Sequence, residues 1–267
     1  MSNGRNIQSF NNFMYLNNNY YSIKNTKINH GFFTRLYGFS KKEFKSLNCS
    51  ISNGDNKKLV YKNRYKALKK LKLHKKKLIL INQIHSSKVI EITKSNLNNK
   101  IQGDGMITSL DNVVLGVLTA DCAPIFIYDN KCKFVCCLHS GWKGALKNIA
   151  KNAIKKFDKH NMNRANLTAI IGPCLGPRNY EVDKSFERRF CNKNSSYSIF
   201  FRKKNNIKLY FDLRGLIKYQ LKELGIKKIH NVNLDTYSNK SLFFSHRRSL
   251  HKDKKTTGRL INLISIT

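Results

Sequence analysis

The chain has 267 residues, 40% of them apolar, and a formal net charge of +36 at pH 7. This apolar fraction excludes a disordered chain, and no run of about 18 apolar residues predicts a membrane span. Segment 1–13 lacks the charged-then-apolar pattern of a signal peptide, so we expect a cytoplasmic protein with no membrane contact. Lysines occur along nearly every segment, which favours a solvated basic surface over a specific nucleic-acid site.

The seven cysteines do not form a recognisable framework. Their odd number, without a signal peptide, argues against structural disulfides. No two of them are spaced as Cys-x-x-Cys, so the sequence predicts neither a zinc ribbon nor a thioredoxin-like motif. Cys136 and Cys137 lie within the apolar run KFVCCLH, and we expect both to pack in a buried strand.

Apolar runs of strand length follow one another through the middle of the chain and predict strands at 78–84, 88–93, 113–120, 123–129, 133–139 and in NLTAIIGP, with a turn at Asp129-Asn130. Apolar residues at helical spacing from Trp142 to Phe157 predict one surface helix, with lysines on its outer face. Further helices are predicted at 182–191 and 213–224. Several strand connections are too short for parallel crossovers, so we expect a mixed α and β architecture in one domain.

Three residues of metal-binding type each follow an apolar run. His85 comes after LILINQI, Cys122 after GVLTAD, and His139 after KFVCCL. If adjacent strands of one sheet carry them, the strand ends bring the three side chains to one point. Two imidazoles and a thiolate suit Zn²⁺ or copper, and three protein ligands leave a fourth position for water or substrate.

Two other interpretations remain open for the same residues. All three side chains could be structural, packed in the core and hydrogen-bonded. Alternatively, Cys122 and His139 form a nucleophile and base pair, because a neighbouring imidazole lowers a thiol pKa. Asp121 or Asp104 could then orient the imidazole.

The segment HSGWKGALKN predicts a helix N-terminus beside His139, where free backbone N–H groups and Lys143 favour an anion such as phosphate. Ordinary capping by Ser140 and Gly141 explains the same pattern. Further basic residues could contact oxyanions or be structural, namely Arg35, Arg64, Arg247 and Arg248.

A series of short motifs runs in order from His30 to the C-terminus and includes HGFFTR, NQIHSSKV, GDGMIT, TADCAPIFIYD, LHSGWKGALKNI, IGPCLGPRNYEV, FFSHRR and TGRLIN. With them the chain resembles the purine nucleoside phosphorylases with adenosine deaminase activity, a family formerly described as laccase-like multicopper polyphenol oxidases. The resemblance implies an N-terminal segment 1–27 and a single domain at 28–267. It also implies an α+β fold, a layered sandwich of mixed β-sheets flanked by helices, similar to a fold once grouped with cysteine hydrolases.

The resemblance assigns roles to individual residues. The metal ligands fall on His85, Cys122 and His139, with Zn²⁺ expected and copper as the alternative. Cys122, Asp104 and Asp121 are the expected catalytic residues, with the aspartates as proton carriers, and Asp104 could also orient a ligand from behind. Residues expected to contact substrate or phosphate are Arg64, by resemblance, and Arg35, Lys143 and Arg247 as further candidates.

The chain departs from the family pattern at several positions without losing a metal ligand. Ser86 replaces a glycine, Lys143 an arginine and His246 a tyrosine. Lys143 lacks the bidentate geometry of arginine, so the departures put activity in question rather than metal binding.

The implied function is zinc-dependent phosphorolysis of adenosine, inosine, guanosine and S-methyl-5′-thioadenosine, with inorganic phosphate as co-substrate. Adenosine deamination is implied as well, with an activated water attacking C6. We expect a monomer or homodimer whose partners are purine nucleosides and phosphate. Two alternatives come from other classes: a copper-dependent polyphenol oxidase, and a cysteine hydrolase or amidase acting on cell-wall peptides.

Overall fold

The computed structural model describes residues 14–17 and 27–267. In chain order, the strands within these residues are β1 (Tyr15–Leu16), β2 (Ile28–Phe33), β3 (Lys77–Leu80), β4 (Val89–Glu91), β5 (Gly105–Thr108), β6 (Val113–Thr119), β7 (Ala123–Asp129), β8 (Val135–Ser140), β9 (Leu167–Ile171), β10 (Glu181–Asp183), β11 (Phe201–Lys203), β12 (Lys208–Phe211), β13 (Lys228–Asn231) and β14 (Leu260–Ile266). The α-helices are α1 (Lys57–Lys70), α2 (Trp142–Leu146), α3 (Ile149–Lys159), α4 (Lys184–Cys191), α5 (Leu213–Glu223) and α6 (His246–Leu250).

Two mixed β-sheets form the centre of the molecule. The first sheet has the strand order β1-β2-β14-β6-β3, and the second has the order β13-β9-β7-β8-β5-β4. In the first sheet β3 is parallel to β6 whereas β14 is antiparallel to it, and in the second β13 is parallel to β9 whereas β7 is antiparallel to it. Strands β10, β12 and β11 form a small antiparallel sheet. These mixed sheets confirm the predicted α+β class.

The two central sheets face each other through alternate side chains of their strands. In β7, Phe126 and Tyr128 belong to the apolar cluster between the sheets, whereas Ile125 and Ile127 belong to the cluster behind the second sheet. Phe126 stacks on Phe32 of the first sheet, with ring centroids 4.4 Å apart. Both faces of β7 are therefore apolar, which explains why its sequence is a continuous apolar run rather than an alternating pattern.

Helices cover the outer faces of both sheets. Ala67 of α1 packs with Val114 and Ile261 on the first sheet. Phe157 of α3 and Ile217 of α5 pack on the second sheet. The result is the predicted layered sandwich, with the sheets inside and the helices outside.

The prediction of one continuous helix from Trp142 to Phe157 is wrong. The chain forms α2 and then α3, with a break before Ile149. Asn148 has a φ of 51°, a left-handed conformation that cannot continue an α-helix, and its side chain accepts a hydrogen bond from the Lys151 amide as the N-cap of α3. The apolar spacing did not reveal the break because residues of both helices pack in the same cluster.

Other predicted elements are present with shifted bounds. The strand predicted at 78–84 stops at Leu80, and Asn82 beyond it makes only an isolated bridge with Gln102. The helix predicted at 182–191 begins at Lys184, because the residues before it pair in β10. The helix predicted at 213–224 ends at Glu223.

Most of the predicted N-terminal segment 1–27, including the region 1–13 considered for a signal peptide, lies outside the described residues. Of its described part, Tyr15 and Leu16 pair with Phe33 and Phe32 of β2. Among residues 14–17 and 27–267, no helix combines the length and apolar character needed to cross a membrane.

Candidate metal centre and substrate cavities

His85, Cys122 and His139 lie together at the ends of strands from both central sheets, and their ligand atoms are within 4.8 Å of one another. His85 follows β3 of the first sheet, and His139 lies in β8 of the second. Cys122 lies in the link between β6 and β7, where the chain passes from the first sheet to the second. Strands of two sheets rather than of one therefore carry the three residues, and the crossing between the sheets brings them together.

A buried carboxylate holds both histidines. Asp104 accepts hydrogen bonds from the backbone N–H groups of His85 at 3.0 Å and Ser86 at 2.5 Å. Its Oδ1 also lies 2.8 Å from Nδ1 of His139. His85 has a φ of 54°, which is disfavoured for a residue with a Cβ, and the contacts with Asp104 stabilise this loop conformation. One carboxylate thus fixes the ring of one histidine and the backbone of the other.

The three side chains fit a metal ion. Because Nδ1 of His139 is hydrogen-bonded to Asp104, Nε2 is the nitrogen left to act as a ligand. A carboxylate behind a ligating histidine fixes its tautomer and raises its basicity. Two nitrogens and one sulfur suit Zn²⁺ or Cu(I), with one coordination position left open.

The same groups shift one another's protonation. Burial raises the pKa of the Cys122 thiol, but the His139 and His85 imidazoles outweigh burial and bring the pKa below its ordinary value. Burial lowers the pKa of His139, whereas Cys122 and Asp104 raise it above its ordinary value overall. Burial likewise raises the pKa of Asp104, yet hydrogen bonds with His139 and Ser86 lower it to about 2. The site therefore favours a Cys122 thiolate, the form that binds metals.

The space around Cys122 depends on Gly141, in the turn before α2. A Cβ added at Gly141 would lie 2.8 Å from Sγ of Cys122 and 3.4 Å from the His85 ring. Glycine allows the backbone to pass this close to the candidate ligands.

Asp121, next to Cys122, binds the C-terminal part of the chain. Its Oδ1 accepts a hydrogen bond from Thr236 Oγ1 at 2.6 Å, and its Oδ2 accepts hydrogen bonds from Ser245 Oγ at 3.0 Å and the Arg247 backbone N–H at 2.7 Å. These bonds attach the start of α6 to the link that carries Cys122.

Two cavities meet at the candidate ligands. The larger, which we call the arginine cavity, has a volume of about 580 Å³ and is lined by residues that include Arg64, Asn82, Gln83 and Arg259. The smaller, which we call the aromatic cavity, has a volume of about 290 Å³ and is lined by residues that include Trp142, Leu175, Tyr180 and Arg247. His85, Cys122 and His246 line both cavities. The larger cavity has the size of a typical small-molecule site.

The residues predicted to contact substrate or phosphate are divided by the structure. Arg64 lines the arginine cavity, and Arg247 lines the aromatic cavity. Arg35 is not among the lining residues of either: its guanidinium donates to the Lys45 carbonyl and lies 4.4 Å from the centroid of the Phe244 ring. Lys143 is exposed, outside both linings, with its ammonium 5.5 Å from the Trp142 ring centroid.

Arg259, Trp142 and Tyr180 line the cavities but are not among the residues predicted from the sequence. Each stands in a motif that carries the family resemblance: TGRLIN, LHSGWKGALKNI or IGPCLGPRNYEV. Their position in these motifs was the sequence signal that could have identified them as site residues. His246 stood out as a departure from the family pattern, but its sequence neighbours do not reveal that it lines both cavities.

Comparisons with known proteins agree with the motifs. Residues 29–267 match the family model described as multi-copper polyphenol oxidoreductase laccase. The chain is 33% identical to purine nucleoside phosphorylase RP494 of Rickettsia prowazekii over 71% of this chain and 78% of that protein. It is 29% identical to purine nucleoside phosphorylase YlmD of Bacillus subtilis over 91% of this chain and 90% of that protein.

A solved structure supports the same assignment. The crystal structure of the hypothetical protein YfiH from Bacillus licheniformis matches with a TM-score of 0.83 and 28% identity, covering 90% of this chain and 93% of that one. The family match includes His85, Cys122 and His139, the whole second sheet, and the first sheet from residue 29 onward, without β1. The chain therefore belongs to the multi-copper polyphenol oxidoreductase laccase family, in which its named relatives are purine nucleoside phosphorylases.

Proposed function

We propose that this protein is a purine nucleoside phosphorylase that uses phosphate to cleave adenosine, inosine, guanosine and S-methyl-5′-thioadenosine, and that it also deaminates adenosine. The observation that carries the proposal is the convergence of His85, Cys122 and His139 at the meeting point of two cavities. The names of the relatives from R. prowazekii and B. subtilis support the phosphorylase activity.

The proposed metal is Zn²⁺, with copper as the alternative, held by His85, Cys122 and His139. When bound, zinc would supply a Lewis acid to both reactions, stabilising negative charge that develops in phosphorolysis and lowering the pKa of a water molecule for attack on C6 of adenosine. The chain's own contribution is to fix the His139 ring and the His85 backbone through Asp104, and to favour the Cys122 thiolate through the two neighbouring imidazoles.

Asp104 and Asp121 act in this proposal as positioning residues. The oxygens of both accept several hydrogen bonds from the protein, which favours a positioning role over proton transfer. His246 lines both cavities, and we assign the proton transfer to it. Burial and the nearby charge of Arg259 lower the pKa of His246, which favours the neutral imidazole that a general base requires.

Phosphorolysis needs positive charge near the attacking anion. An oxygen of hydrogen phosphate bonds to C1′ of the ribose as the C1′–N9 bond breaks, and the bonding electron pair leaves with the base. The proton lost by hydrogen phosphate balances the proton gained by the base, giving free base and ribose 1-phosphate. Arg64, in the arginine cavity, is placed to hold the anion.

The test is to incubate purified protein of defined metal content with adenosine, inosine and methylthioadenosine, with and without phosphate, and to resolve the products by chromatography. We expect free base only when phosphate is present, and inosine from adenosine without it. Cys122→Ala should abolish both, whereas Cys191→Ala, which changes a cysteine of α4, should abolish neither. A protein that binds zinc and converts no nucleoside would contradict the proposal.

A cysteine hydrolase acting on cell-wall peptides is a second candidate, and a specific contact favours it. His139 is hydrogen-bonded to Cys122 on one side and to Asp104 on the other, the order found in a nucleophile, base and carboxylate triad. Thiol alkylation separates the two functions. In a phosphorylase, bound zinc should protect Cys122 from iodoacetamide, whereas peptide cleavage that alkylation abolishes even with zinc present would establish the hydrolase.

A copper-dependent polyphenol oxidase is the third hypothesis, and the description of the family names this activity. A multi-copper enzyme needs several copper centres, and in the part of the chain that the structure describes, His85, Cys122 and His139 form the group with metal-binding geometry. Oxygen uptake with a phenolic substrate after copper loading would favour the oxidase.

A further inference from the structure

The two cavities differ in charge, although both reach the candidate metal ligands. The arginine cavity is lined by two arginines, and no carboxylate is among its lining residues in the described part of the chain. The aromatic cavity has one arginine, Arg247, and one carboxylate, Asp121, among its lining residues, together with Trp142 and Tyr180. An anion is therefore favoured in the first cavity over the second.

Arg259 is fixed in place with part of its guanidinium unused. Its backbone N–H donates to Asn48 Oδ1 at 2.9 Å, and its Nη1 donates to the carbonyls of Thr257 at 2.8 Å and Gly258 at 3.2 Å. Among the residues that the structure describes, Nε and Nη2 have no hydrogen-bond acceptor. Two nitrogens with unused N–H groups on a fixed guanidinium are suited to an oxyanion.

Arg64 stands in the same cavity on a different element. It lies in α1, and its Nε donates to the Cys49 carbonyl at 2.8 Å. Within residues 14–17 and 27–267, its two terminal nitrogens have no hydrogen-bond acceptor. Two fixed arginines, one in a helix and one directly before β14, line the same cavity and can bind one phosphate together.

The aromatic cavity suits a planar, uncharged group. Trp142 and Tyr180 supply ring surface, and Leu175, Leu213 and Leu250 supply aliphatic surface. Its arginine is already engaged, since Arg247 Nη1 donates to the Glu181 carbonyl at 3.0 Å and the guanidinium lies 5.4 Å from the Tyr180 ring centroid. A purine base can stack in such a cavity, because it is uncharged and no ionic group has to give up its hydration.

We propose that Arg259, together with Arg64, binds phosphate in the arginine cavity, and that the aromatic cavity binds the purine base. This assignment rests on the proposed phosphorylase function. The reaction replaces the C1′–N9 bond by a C1′–O bond, so the attacking anion and the departing base lie on opposite faces of the ribose. Two cavities that meet at His85, Cys122 and His246 provide those two positions, with the ribose between them.

The experiment measures the two ligands separately on the intact, zinc-loaded protein. Phosphate binding is followed through the rise in the thermal unfolding midpoint with phosphate concentration. Base binding is followed by quenching of Trp142, the single tryptophan of the chain, as hypoxanthine is added. Arg259→Ala should weaken phosphate binding about tenfold or more and leave the hypoxanthine titration unchanged. Leu250→Asp, at an exposed wall of the aromatic cavity, should do the reverse.

Two further variants keep the test decisive. Arg202→Ala removes an exposed arginine on β11 and should change neither titration. If Arg259→Ala fails to fold, Arg259→Lys keeps the charge without the fork and should still weaken phosphate binding, as should Arg64→Ala. The proposal is overturned if phosphate does not stabilise the wild type, if the Arg259 variants bind it normally, or if phosphate displaces hypoxanthine.

Turnover separates this proposal from the proposed function. If both ligands bind as described but no nucleoside is cleaved, the division of the cavities stands and the phosphorylase function fails. If nucleosides are cleaved and the KM for phosphate is unchanged in the Arg259 variants, the function stands and the division fails.

Discussion

The two buried aspartates of the site stabilise two different kinds of region. Asp104 connects residues that are close in sequence, at most 35 positions away, and all its partners are candidate metal ligands or their neighbours. Asp121 connects the Cys122 link to residues 115 to 126 positions away, in the segment that carries His246 and Arg247. The metal half of the site is thus compact in sequence, whereas the part of the substrate half that carries His246 and Arg247 comes from the far end of the chain.

The largest effect should come from breaking the metal half. Asp104→Asn keeps the shape of the side chain but replaces one accepting carboxylate oxygen by an NH₂ group, which cannot accept a hydrogen bond from the N–H donors around it. We expect the affinity for zinc to fall about 10- to 100-fold, because the carboxylate orients His139 and the His85 loop. Competition with a chromophoric chelator measures it. Asp158→Asn, which removes a surface ion pair with Arg164, is the control and should leave zinc affinity unchanged.

Breaking the substrate half should affect stability and substrate binding instead. Asp121→Asn weakens the bonds to Ser245 and Arg247, and we expect the free energy of unfolding to fall by about 1.5 to 3 kcal/mol. Urea denaturation measures this loss. Zinc affinity should be nearly unchanged, and a tenfold loss of zinc affinity would show that the two halves are not separate.

A smaller steric change sharpens the same distinction. Gly141→Ala places a methyl group 2.8 Å from Sγ of Cys122. The methyl group of Gly144→Ala would lie 3.4 Å from its nearest atom, the Ser86 carbonyl oxygen, which is about van der Waals contact. We expect Gly141→Ala to lower the free energy of unfolding by roughly 1 to 3 kcal/mol and to weaken zinc binding. Gly144→Ala should do neither, and equal effects of the two variants would contradict the role of Gly141.

The smallest expected effect is a shift in pH dependence. Because the His139 and His85 imidazoles bring the pKa of Cys122 below its ordinary value against the effect of burial, much of the thiol is already ionised at neutral pH. In zinc-free protein, alkylation of Cys122 should therefore level off at a lower pH than for an ordinary thiol with a pKa of about 8.5.

Cys191 provides the internal comparison for that titration. Burial and the nearby Glu187 raise its pKa, so its alkylation should still be increasing where that of Cys122 has levelled off. Mass spectrometry of labelled peptides gives both rates from one sample. Identical profiles for the two cysteines would show that the imidazoles do not activate Cys122.

The same division explains what the sequence could reveal. The strands around Cys122 and His139 were predictable because both faces of β7 and β8 are buried, which gives continuous apolar runs. The three candidate ligands could be named because each ends such a run. The sequence could not predict that their strands belong to two sheets, because nothing in the link from β6 to β7 indicates that the chain changes sheet there.

Residues whose position depends on distant contacts were harder to assign. Arg35, Lys143 and Arg64 all carry a positive charge, and only the folded chain shows that Arg35 donates to Lys45 while Lys143 is exposed. Arg259 reaches the site because Asn48 and the carbonyls before β14 hold it there, from opposite ends of the sequence. The break at Asn148 was missed for a local reason, because a single left-handed residue does not disturb the apolar spacing.

The measurement that tests the central claim most directly is a zinc titration of turnover. Metal-free protein would receive zinc in substoichiometric steps while phosphate-dependent release of hypoxanthine from inosine is followed. We expect the rate to rise in proportion to added zinc and to stop rising at about one ion per chain, with no rise in Cys122→Ala. A rate that is independent of zinc, or that rises equally in Cys122→Ala, would contradict a zinc site at His85, Cys122 and His139.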